Sequence, residues 1–62
     1  MKWRNISFNR KSIAEGCKEE IAKAGIKVGD IFSNDGYWIL PWMPMSKNEY
    51  KTGINIAFNY IF

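Results

Sequence analysis

The sequence predicts a small α+β domain: residues 1–62 as one unit, in the order βαβββ, with one helix packed on a mostly antiparallel sheet. Three observations predict this. The chain opens on a short alternating stretch. A stripe at helical spacing follows, with its own start and stop signals. Strand-like segments separated by glycine-rich turns then run to the end. A chain of 62 residues has material for one core only.

Residues 2–8 read as a strand, with Arg4, Ile6 and Phe8 pointing one way and Trp3, Asn5 and Ser7 the other. Ser12-Ile13-Ala14-Glu15 has the pattern of a capping box and predicts a helix over 13–24, with Ile13, Cys17, Ile21 and Ala24 on its buried stripe. Glu19 and Lys23 stand four apart in the favourable order. Gly25 supplies the left-handed stop, and Ile26 is placed to touch Ile21 across it. Gly16 costs the helix about 1 kcal/mol relative to alanine, which points to a backbone or a ring passing close by.

Lys27–Phe32 reads as a strand with an irregular middle. Ser33-Asn34-Asp35-Gly36 is a turn, since Asn, Asp and Gly tolerate positive φ, and Tyr37–Leu40 returns as the hairpin partner. Pro41 and Pro44 remove ladder donors, which predicts a sheet edge for this segment or its departure from the sheet. Ser46-Lys47-Asn48-Glu49 repeats the capping-box pattern, with Gly53 placed to close a short helical turn; a polar loop fits the stretch equally well. Ile54, Ile56, Phe58, Tyr60 and Phe62 alternate with Asn55, Ala57, Asn59 and Ile61, the signature of a half-buried strand.

Composition excludes several classes. At 47% hydrophobic and 16% aromatic residues the chain is too apolar for disorder. With no histidine and one cysteine it can build neither an internal disulfide nor a Cys/His zinc site nor a histidine-based catalytic group. No metal or cofactor is expected. The longest apolar run, Tyr37–Met45, is broken by two prolines and is too short to span a bilayer. Met1–Asn5 is charged but lacks the apolar core of a signal peptide. One free cysteine without an export signal predicts a reducing cytoplasm. Abundant Lys, Asn, Ile, Phe and Tyr imply AT-rich codons, the style of a low-GC bacterium, its phages or its mobile elements.

Ala24-Gly25-Ile26-Lys27-Val28-Gly29-Asp30-Ile31-Phe32 resembles a short stretch of PDZ domains, where a helix ends at glycine and a Gly-Asp pair leads into a strand. The resemblance is confined to that stretch and implies shared local geometry. In a bend of this kind Asp30 is expected to accept amide hydrogen bonds.

The carboxylates show no spacing that brings a catalytic pair together, and a domain this short lacks the bulk to wall off a substrate pocket, so no enzymatic activity is expected. Cys17 falls on the apolar stripe as an inert thiol. Two surfaces stand out. Tyr37, Trp38, Trp42, Met43 and Met45 crowd large apolar side chains onto a strand that a single helix cannot cover on both faces, and these residue types are enriched at protein interfaces. Lys2, Trp3, Arg4, Arg10 and Lys11 form a basic arm without an acid, suited to phosphate contact and base stacking.

The expected function is binding without catalysis: a small protein that occupies a surface of a larger protein or nucleoprotein, in the manner of a phage or mobile-element modulator or inhibitor of a host factor. The alternatives are a small nucleic-acid-binding protein that uses the basic arm, and a homo-oligomeric structural protein.

Overall fold

The computed structural model describes residues 2–61 and shows the predicted α+β class. Chain order is β1 (Arg4–Phe8), α1 (Lys11–Lys23), β2 (Lys27–Val28), β3 (Phe32–Asn34), β4 (Tyr37–Met43) and α2 (Lys47–Ile61). All four strands form one antiparallel sheet in which β4 is central, with β1 on one side and β2 and β3 in tandem on the other.

The predicted helix exists and ends as expected. The Gly25 N–H donates to the Ala22 carbonyl and the Ile26 N–H to the Ile21 carbonyl, at 3.0 and 3.2 Å, with Gly25 at φ 84°. Both bonds satisfy end carbonyls, and Ile21 and Ile26 share the core. The start differs. Arg10 occupies the N-cap without a side-chain cap, and Ser12 lies inside the first turn. The chain leaves β1 and reverses through Asn9 and Arg10, so the turn from the sheet rather than the serine sets the first helical residue.

The predicted strand Lys27–Phe32 divides into β2 and β3, with Gly29–Ile31 between them. That break reconciles Pro41 with a central position, against the expectation of an edge. The Pro41 carbonyl accepts a hydrogen bond from the Gly29 N–H at 2.9 Å, so its missing N–H would have pointed to the same side, into the gap between β2 and β3. The hairpin forms with a tighter turn than the predicted Ser33–Gly36: Ser33 and Asn34 continue β3, and Asp35 and Gly36, both at positive φ, join Asn34 to Tyr37 in a two-residue loop.

The predicted terminal strand, residues 54–62, is instead helical through Ile61; Phe62 lies outside the described residues. Ser46 caps this helix, accepting from the Glu49 N–H at 3.2 Å, while the Glu49 carboxylate accepts from the Met45 N–H at 2.9 Å. Alternating large residues suggested a strand because size was taken to mark the buried face. The buried positions of α2 are the small ones, Gly53 and Ala57, with Ile56 and Tyr60 half-buried beside them at helical spacing. Phe58, on the other side, is 51% exposed. Gly53 therefore continues the helix rather than ending it: a Cβ there would lie 2.6 Å from Trp42 Cη2. Gly16 has the close neighbour its presence implied, since a Cβ would sit 3.0 Å from Tyr60 Cε1.

Both helices cover one face of the sheet. Phe8, Leu40 and Trp42 meet Ala14, Cys17 and Ile21 of α1 and Ala57 of α2 in a single core. The opposite face is left without a helix.

Candidate binding surface

Cross-strand register assigns each strand side chain to a face, because directly paired residues share one and neighbours along a strand alternate. Trp42 pairs with Arg4 and Val28, Leu40 with Ile6, and Trp38 with Phe8 and Ser33, on the helix-covered face. Ile39 pairs with Ser7 and Phe32, Tyr37 with Asn34, Pro41 with Asn5, and Met43 with Lys27, on the open face. Ile39 is buried yet lies outside the core cluster, which places it in the floor of that second face.

The open face carries rings. Trp3, Phe32 and Tyr37 are 50%, 46% and 49% exposed. Trp3 precedes β1 but reaches over Pro41: a Cβ on Gly29 would lie 3.3 Å from Pro41 Cγ and 3.5 Å from Trp3 Cζ3. Lys27 Nζ stands 5.7 Å from the Trp3 ring centroid, within range of a cation–π contact. Among the strand positions of this face the only charged residue is Lys27.

The five residues expected to bind protein are thus separated. Tyr37 and half-buried Met43 lie on the open face. Trp38 is half-buried on the covered face, with Lys11 Nζ 5.5 Å from its ring centroid. Trp42, at 1% exposure, is core and leaves the surface altogether: its ring is held between the backbone of Gly53 and the ring of Tyr50, which stacks on it at 5.9 Å and 13°. The expectation that one helix could not cover this strand overlooked α2, which does so at Trp42. Met45 is exposed beyond the strand end.

The basic arm is separated too. Lys2 and Arg4 join Lys47, Met45, Ser46 and Tyr50 around an open cleft of about 460 Å³ at the end of the sheet where β1 begins and β4 leaves. The Arg4 guanidinium stands 4.6 Å from the Tyr50 ring centroid, within range of a cation–π contact. Arg10 and Lys11 are carried to the start of α1, and Trp3 turns to the face opposite Arg4.

The carboxylates do not gather on either surface. Glu15, Glu19 and Asp30 line a shallow hollow beside α1 together with Lys11 and Lys18. Asp30 is fully exposed and pairs with Lys18 at 3.8 Å rather than closing a bend, and Glu19 pairs with Lys23 at 3.7 Å, the predicted helical spacing. Solvent screens such exposed pairs, so each contributes little to stability. Among the described residues no three Cys, Asp or Glu side chains are placed to hold a metal ion. The Cys17 thiol is free, and burial together with neighbouring Glu20 pushes it up to about 11. Glu20 also accepts the Tyr60 hydroxyl, which holds that phenol up at about 12.

Phe32 and Lys27 were missing from the sequence reading of the surface. The two-residue Asp35-Gly36 loop was the signal that could have found Phe32, because it fixes Asn34 opposite Tyr37 and hence Phe32 opposite Ile39. No family model, no curated protein and no solved structure matches this chain. Among the described residues no helix is long and apolar enough to cross a membrane.

Proposed function

We propose that this protein works by binding, without catalysis, and that its working surface is the open face of the sheet, which it offers to a larger protein or nucleoprotein. The observation that carries this reading is the set of three half-exposed rings, Trp3, Phe32 and Tyr37, on a face that neither helix covers. Aromatic side chains contribute most of the buried area in small cores, and leaving three of them half in water forgoes about 1 kcal/mol or more each unless a partner covers them. The single cysteine, kept as a buried free thiol, accords with a reducing cytoplasm.

The test is site-specific photo-crosslinking in cells producing the protein, with benzoylphenylalanine in place of Tyr37 on the open face or of Lys51 on exposed α2. The expected result is a discrete adduct from position 37 and none from position 51. No adduct of protein or nucleic acid from position 37, or the same adducts from both, would refute the reading.

A further inference from the structure

We infer that the occupant of the open face is single-stranded nucleic acid, whose bases stack on the exposed rings and whose phosphates run towards the basic cleft. The inference rests on the reading of the open face as the working surface and commits it to one partner chemistry.

Three features of the face select this partner. First, what the face exposes is π surface: the aliphatic Ile39 is sunk into its floor, while Trp3, Phe32 and Tyr37 stand half out. A protein partner would also be served by such rings, but a base can stack only on a ring. Base–ring stacking is also tolerant of sequence, because every base has a π face. Second, charge is complementary to a polyanion. No strand position on the face carries a carboxylate, and Lys27 stands beside Trp3. Lys2 and Arg4, the residues flanking Trp3 in the chain, open into the cleft that Lys47 also lines. A strand lying across the rings meets Lys27 at the Trp3 end, and the cations of the cleft only beyond that end, on the helix-covered side of the sheet. Third, paired bases hide their faces inside the duplex, so a sheet of rings can engage only unpaired ones.

The test measures fluorescence anisotropy of labelled oligo-dT and oligo-rU of about 15 nucleotides, against a hairpin duplex of the same length, between about 50 and 200 mM salt. Both single strands are expected to bind more tightly than the duplex, with affinity falling steeply as salt rises. Trp3→Ala and Tyr37→Ala, which sit apart on the face, are each expected to weaken binding about tenfold, since removing one stacking ring has an effect of that order. Lys27→Glu should weaken it and flatten the salt dependence. Asn55→Ala, at an exposed position of α2, should change nothing. Circular dichroism on each variant keeps lost binding distinct from lost fold. Absence of binding to either single strand at low salt, or binding that is equal for duplex and indifferent to the rings, overturns the inference. Crosslinking at position 37 separates the two failures. A protein adduct there, with no oligonucleotide binding, leaves the open face as the working surface and removes nucleic acid; neither an adduct nor oligonucleotide binding removes the surface itself.

Discussion

Gly53 lies flat against the indole ring of Trp42. The contact joins the last helix to the central strand, and it is made possible by a missing side chain. Gly53→Ala should therefore destabilise the protein by about 1–3 kcal/mol through overpacking, even though alanine favours a helix interior by roughly 1 kcal/mol. Urea unfolding monitored by tryptophan fluorescence would measure it. A stabilised variant would mean that α2 does not rest on Trp42.

The two faces of β4 should respond differently to truncation. Trp42→Ala removes a fully buried ring and should cost about 3–5 kcal/mol, enough to unfold a domain of this size. Tyr37→Ala should leave the melting curve nearly unchanged, as exposed substitutions stay within about 0.5 kcal/mol. Thermal melts of the pair decide whether core and surface have been assigned to the right sides.

On α2 the small residues should matter more than the large ones. Ala57→Leu forces a larger side chain into the core and should cost about 1–3 kcal/mol. Phe58→Ala removes a half-exposed ring and should cost about 1 kcal/mol or less. The opposite order would restore the alternating strand that the sequence suggests.

Stability should decline in alkaline solution. Cys17 titrates near 9.0 when unfolded and near 11 when folded, and Tyr60 near 10.0 and 12. In each case the folded state holds its proton longer, so the contribution is fully present below the unfolded value and is lost as pH rises through the folded one. Melting temperature should thus fall from about pH 9 upward. Cys17→Ala should remove the lower part of that fall and Tyr60→Phe the upper part. Ellman's reagent should react with Cys17 slowly until denaturant is added.

What could be read from the sequence follows a physical division. Three elements announced by backbone chemistry are where they are expected: Gly25 ends α1, Asp35 and Gly36 turn the hairpin, and Ser46 accepts from the Glu49 N–H at the start of α2; Ser12, with the same capping pattern, caps nothing, and Gly53 continues its helix. Gly16 correctly signalled a ring nearby. Elements inferred from the size of side chains were misread. Ile54, Ile56, Phe58 and Tyr60 alternate, but α2 packs through Gly53 and Ala57, and period-two spacing among large residues says nothing about small ones. Pro41 looked like an edge residue because the gap between β2 and β3 that accommodates it forms only in three dimensions. The aromatic segment was noticed for the right reason and then assigned whole, although alternation sends Tyr37 and Trp42 to opposite faces.

Because β1, β2 and β3 each pair with β4 and not with one another, the sheet has no stable half. During synthesis β1 and α1 emerge together, but the ladder partner of β1 comes only with β4, roughly thirty residues later. No ladder can close before β4 is present, and Trp42 is covered only once α2 packs on it. A lesion in Tyr37–Met43 thus removes the common partner of every other strand, whereas a lesion in β2 or β3 leaves the β1 ladder in place.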